Sequence, residues 1–137
     1  MTTLETATVT VTIDAPLETV SADIADPSSH LEWATEFFSG SAEDKGDGTW
    51  QMNVARMGGP VLLRIDGDTA LGVIDMYLAP VGAPFGAPLP VRVIPNGGGS
   101  DVLFTLTRFP DQTDQEWNEG LRSMKRELGN LKTRHES

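Results

Sequence analysis

Asp111–Lys132, DQTDQEWNEGLRSMKRELGNLK, repeats its apolar residues at helical spacing: Trp117, Leu121, Met124, Leu128 and Leu131 recur at steps of four and three. That period draws one apolar stripe along an otherwise charged helix, as expected of a helix laid on another layer of structure. Asp111, Asp114, Glu116 and Glu119 come first, and Arg122, Lys125, Arg126, Lys132 and Arg134 follow. Each sign thus sits at the end of the helix dipole that favours it. We expect one helix over residues 112–134. Gly120 lies on its inward side, three residues after Trp117 and four before Met124. Glycine there costs about 1 kcal/mol relative to alanine, a cost easier to explain if something must approach the backbone closely.

The residues before this helix read as strands. In SDVLFTLTRF, Val102, Phe104 and Leu106 alternate with Leu103, Thr105 and Thr107, and NGGGS turns that run back onto PVRVIP, a hairpin. Three glycines there make a turn, since the helix and Lys-Ser/Thr of a phosphate-binding loop are missing. Upstream, TWQMNVAR, VLLRIDGD and LGVIDMYL are short runs broken by turn residues. Trp50, Met52 and Val54 share one face, as do Val61, Leu63 and Ile65. In GVIDMYL the phase stays open: either Ile74, Met76 and Leu78 or Val73, Asp75 and Tyr77 point inward. APVGAPFGAPLP (79–90) carries four prolines and two glycines, which suit a stiff loop and not a central strand. A twelve-residue Pro/Gly loop between strands is uncommon unless functional, so it is expected to rim a cavity, with Phe85 as its only aromatic side chain.

At the front of the chain, ATVTVTIDAP alternates β-branched residues at strand period, and LETVSADIA follows as a short helix ended by Asp26-Pro27. DPSSHLEWATEFFSG (26–40) then places Trp33 and Phe37 at i, i+4 of a second helix, with Glu32 and Glu36 on another face and His30 one turn before Trp33. We expect the aromatics to form cavity wall and the two acids to face water.

Strand, two short helices, about six antiparallel strands and one long amphipathic helix: this order resembles the helix-grip fold of the START-like superfamily (SRPBCC). It is closest in kind to small bacterial polyketide cyclase/dehydrase and lipid-transport-like members. VTIDAPLETVSADIADPSSHLEW, GTWQMNV and LTRFPDQTDQEWNEGLRSMKRELGNLK carry the resemblance, which spans essentially the whole chain. It implies an α+β domain over residues 1–137, with a curved antiparallel sheet of about six or seven strands wrapped around the C-terminal helix. It also implies an apolar pocket between sheet and helix for lipids, polyketides or other small hydrophobic molecules. No catalytic motif transfers with it.

Placed in such a fold, Trp33, Phe37, Trp50, Met52, Val54, Leu63, Ile65, Phe85, Phe104, Leu106, Trp117, Gly120, Leu121 and Met124 would line the interior. Apolar stripes more often simply fill a core; aromatics near the mouth and flexible methionines are the better ligand contacts. Chemistry would need a polar group facing the pocket, and His30, Asp75, Tyr77 and Arg92 are the candidates. Arg64 and Asp66 alternate with Leu63 and Ile65 and belong on the wet face. His135 is expected to fray at the chain end.

Composition narrows the partners. The 137 residues contain no cysteine and two histidines, which leaves no thiolate or multi-histidine metal site, and no cofactor is expected. A net charge of −10 repels nucleic acid and anionic lipid surfaces. No run approaches the roughly 20 apolar residues of a membrane span and no leader is evident, so a cytoplasmic protein is expected. Three function classes remain: binding of a small hydrophobic molecule, a cyclase, aromatase or dehydratase-like enzyme, and a protein-interaction module. Monomer and homodimer are both open.

Overall fold

A computed structural model describes residues 2–137. Seven strands, β1 (Thr6–Ile13), β2 (Ser39–Asp44), β3 (Thr49–Val54), β4 (Gly59–Asp68), β5 (Val73–Pro80), β6 (Leu89–Asn96) and β7 (Gly99–Thr107), form one antiparallel sheet in the order β1-β7-β6-β5-β4-β3-β2. Every neighbour from β2 through β7 is also a chain neighbour. Only β1 joins out of order, on the far side of β7. Between β1 and β2 lie two helices, α1 (Leu17–Ile24) and α2 (His30–Trp33), and the chain ends in α3 (Asp114–Glu136). This is the helix-grip architecture of the START-like superfamily.

Alternation decides which face of the sheet the helices cover. Ile13, Met52, Val54, Val61, Leu63, Ile74, Met76, Val91, Val93, Val102 and Phe104 are all buried, and they occupy the same phase through the cross-strand register. The open phase of residues 72–78 is thereby resolved: Ile74 and Met76 point into the core, and Asp75 and Tyr77 point out. Met76 pairs with Ile65 and Ile74 with Val91, so the opposite choice would bury a carboxylate among these side chains.

A short turn, residues 69–72, leads from β4 into β5. Gly72 ends the short turn between them at φ 68°, and a Cβ on it would collide with the carbonyl oxygen of Val93. Only glycine combines that dihedral with so close a backbone approach.

Helix α3 begins with a capping box. The Thr113 hydroxyl accepts the N–H of Glu116, and the Glu116 carboxylate accepts the N–H of Thr113, satisfying two donors that a bare helix end would strand. Its C-terminal turn does not fray as expected. His135 Nε2 donates to Asp23 of α1 at 2.8 Å and Arg134 pairs with the same carboxylate at 2.9 Å, docking the last turn onto α1. Leu128 and Leu131 of this half are essentially buried in the core.

Leu128 is 1% exposed and Leu71 is 70% exposed. Leu128→Ala should therefore lower unfolding free energy by about 2–5 kcal/mol, and Leu71→Ala by less than about 0.5 kcal/mol. Urea denaturation of both variants checks this, and comparable losses would contradict the placement of α3.

Candidate ligand-binding site

Burial falls along the concave face. In the row Val9, Phe104, Val91 and Ile74 the last three are buried. One row further on, Ala7, Leu106, Leu89 and Ile65 are half-buried, with Met76 alone buried. Trp50 and Leu78, both paired with Leu63 across the sheet, are half-buried too. Burial also varies along helix α3: Leu128 and Leu131 are buried, Gly120, Leu121 and Met124 are half-buried, and Trp117 is buried again one turn further on. The two half-buried sets meet, because α3 runs alongside β1 with Leu121 near Ala7 and Val9 and with Lys132 at Thr12. The sheet thus has one filled end and one half-buried, apolar, more open end, which Leu121 of α3 adjoins at Ala7 and Val9.

Residues expected to line an interior divide accordingly. Trp33, Met52, Val54, Leu63 and Phe104 are buried, as is Trp117. The Trp33 and Phe104 rings meet edge to face at 6.0 Å, spanning from α2 to β7. Trp50, Ile65, Leu106, Gly120, Leu121 and Met124 are half-buried. Phe85 lies elsewhere. It packs 6.1 Å from Tyr77, and the Arg64 guanidinium lies 4.4 Å from the Tyr77 ring centre and 5.2 Å from that of Phe85. Arg64 and Tyr77 are direct cross-strand partners on the convex face, so the cation and both π-faces draw the loop outward, away from the concave side.

Asp75 and Arg92 lie on that same convex face, paired at 2.9 Å. With Tyr77 they point away from the concave surface, so three of the four polar candidates do not reach it. His30 is buried at 1% exposure; its Nε2–H donates to the Ile24 carbonyl at 2.7 Å and its ring packs against Trp33 and Phe38. Burial pushes its pKa below the ordinary 6.5, against the pull of the Ile24 carbonyl and of Asp23 and Asp26.

The stretch Asp26–Gly40 holds less helix than its residues suggest. α2 stops at Trp33, and Phe37 is half-buried in the turn beyond while Phe38 is buried. The reason is a residue that the sequence analysis does not single out. Glu127 of α3 is 2% exposed, and its Oε2 accepts the N–H groups of Glu36 and Phe37, both at 3.0 Å. Burial raises its pKa, opposed by those two hydrogen bonds. Its signal was available: Glu127 lies three residues after Met124 and four before Leu131, on the flank of the stripe. Glu36 is exposed, as expected, and is also bound. Arg126 binds it through two nitrogens at 2.7 and 2.8 Å and Ser123 donates to it at 2.9 Å; the Arg126 bonds hold its carboxyl below the usual range. Glu32 is exposed. Asn130 adds a bond to the Trp33 carbonyl at 3.1 Å, so the segment is clasped to α3 along its length.

The family described as polyketide cyclase / dehydrase and lipid transport matches the chain over residues 5–136. The chain belongs to that family. Among solved structures, this polyketide cyclase/dehydrase family member is similar to protein CV1439 from Chromobacterium violaceum, at 17% identity over 96% of this chain and 98% of that one, with a TM-score of 0.71. It is also similar to DR_A0006 from Deinococcus radiodurans (21% identity, 96% and 98% covered, TM-score 0.68). A third likeness is to the Aha1 dimer from Colwellia psychrerythraea (15% identity, 97% of each chain, TM-score 0.69). At these identities the likeness is one of fold. No curated protein sequence matches the chain. Among the described residues, no helix is long and apolar enough to cross a membrane.

Two measurements probe the clasp. Glu127→Ala strands two amide donors and should lower stability by about 1–3 kcal/mol, while Glu127→Gln keeps an acceptor oxygen and should recover most of that loss; equal losses in urea melts would contradict it. For His30 the folded pKa lies below the unfolded value, so the unfolded state binds more protons. The contribution is complete above 6.5 and declines as pH falls toward the folded value, by at most about 1.4 kcal/mol per pH unit. The stability difference between the parent and His30→Gln should therefore narrow on going from roughly pH 7.5 to pH 5.5. Taking the difference removes the opposite-signed contribution of Glu127.

Proposed function

We propose that the protein binds a small hydrophobic molecule on the open end of its concave face, against Trp50, Ile65, Leu106, Leu121 and Met124. One observation carries this reading. Gly120, half-buried on α3 beside the apolar stripe, has open space where a side chain would stand, since a Cβ built on it meets nothing within 4 Å. The missing side chain leaves space beside half-buried apolar groups instead of admitting a close-packed neighbour. Small-molecule sites are typically concave and mostly apolar with a few polar groups. The family description, which names polyketide cyclases and lipid transport, supports the same class of ligand.

Binding fits better than catalysis. A cyclase or dehydratase requires an acid or base at the substrate, and Asp75, Tyr77 and Arg92 lie on the other face of the sheet. His30 is committed to the Ile24 carbonyl.

An environment-sensitive hydrophobic dye tests the proposal together with Gly120→Leu. The parent should bind dye and the variant should not, with stability unchanged or raised by up to about 1 kcal/mol from helix propensity. Absence of dye binding by the parent, or a loss of roughly 1–3 kcal/mol in the variant as for an overpacked core, would sink it.

A further inference from the structure

The sheet has two edges, and they are guarded differently. β2 carries Glu43 and Asp44, and its register against β3 is irregular, both of which discourage addition of another strand. β1 is eight residues without charge or proline, paired to β7 in one unbroken register from Thr6↔Thr107 to Ile13↔Ser100. In an antiparallel ladder the backbone groups of alternate residues point away from the neighbouring strand. Three bonds set the parity here. The Glu5 carbonyl accepts the N–H of Arg108, so odd-numbered residues face β7. The Thr12 carbonyl accepts Lys132 Nζ at 2.8 Å, and the Asp14 N–H donates to Glu136 Oε2 at 2.9 Å, so even-numbered residues face the side of α3.

Thr8 and Thr10 therefore turn their backbone N–H and C=O groups to that side as well, at a level where α3 supplies no Lys132 or Glu136. They open into a groove of about 380 Å³ between β1 and α3, with Ala7, Val9 and Leu121 as its apolar part and Arg122 and Lys125 on its helix wall. Arg122 is shared with Glu119 at 3.0 Å, whereas Lys125 is exposed and, among the described residues, enters none of the ion pairs of α3. On a chain with net charge −10, this is a local reversal of sign. Ala7, Val9 and Leu121 also belong to the concave face and to α3 at the open end, so the groove is the polar margin of the proposed binding surface.

We propose that the hydrophobic ligand is an acid, and that this groove takes its carboxylate. Lys125 and Arg122 supply the opposite charge. The N–H groups of Thr8 and Thr10 supply directional donors, and the apolar part lies along Leu121 onto the surface beyond. Charge-assisted bonds of this kind are the strong ones. The inference rests on the ligand-binding reading, and the test separates the two.

Amide chemical shifts of the isotope-labelled protein would be followed during titration with octanoate and, in parallel, with octanol. Octanoate should shift the amides of Thr8 and Thr10 together with that of Leu121, and bind at least about tenfold tighter than octanol, which corresponds to about 1.4 kcal/mol. Lys125→Glu should bring octanoate down to the level of octanol and leave octanol unchanged. Equal binding of both by the parent, with shifts at Gly120 and Met124 only, would overturn the carboxylate site and leave the apolar one standing. Failure of both compounds to move Gly120, Leu121 or Met124 would remove the binding surface and the acid site with it. Shifts of Thr8 and Thr10 that follow protein concentration without ligand would mean that a second copy occupies this edge, which also overturns the proposal.

Discussion

One carboxylate holds the two halves of this fold in register. Glu127 projects from the middle of α3 and takes the backbone N–H groups of Glu36 and Phe37, the point at which the chain leaves α2 and turns into β2. Backbone donors away from water must be paired somewhere, and in this turn they are paired by the last element of the chain. The position of α3 over the sheet and the path of residues 34–38 are therefore a single decision. Ser123, Arg126 and Asn130 reinforce it on adjacent turns.

That clasp lies midway along α3 and divides it into unequal environments. Beyond it, Leu128 and Leu131 are sealed against the core, and the last turn is tied to α1 through Asp23. Before it, Gly120, Leu121 and Met124 are half-exposed, with Leu121 beside Ala7 and Val9 of β1, and Trp117 is buried one turn further on. The C-terminal half anchors the helix, so the N-terminal half can lie over an incompletely filled surface without the helix losing its position. Stability and an accessible apolar face are thus assigned to different turns of one element.

Much of this was legible in the residues because period alone reveals it. The stripe from Trp117 to Leu131 identifies α3, and alternation in TWQMNV, VLLRI and DVLFTL identifies strands and their inward faces. Residues 72–78 were ambiguous because Val73 and Tyr77 are nearly as apolar as Ile74 and Met76; only pairing with Ile65 and Val91 decides between them. HLEWATEFF contains good helix formers, yet α2 is a single turn, since the amides that would continue it are taken by a residue about ninety positions away. Phe85 was misplaced for a similar reason, its stacking partners being set by tertiary contact. A charge on a helix reads as solvated until its neighbours at three and four residues are counted, and Glu127 was passed over in that way.

The Pro/Gly loop between β5 and β6 has a consequence through where it is pinned. With Phe85 stacked on Tyr77 and Arg64 outside the sheet, Phe85 does not serve as a lid over the concave face. Lidded sites exchange their contents on the microsecond-to-millisecond schedule of loop opening. A molecule resting on this concave face would instead come and go at rates set by its own contacts, so that residence time would report affinity directly.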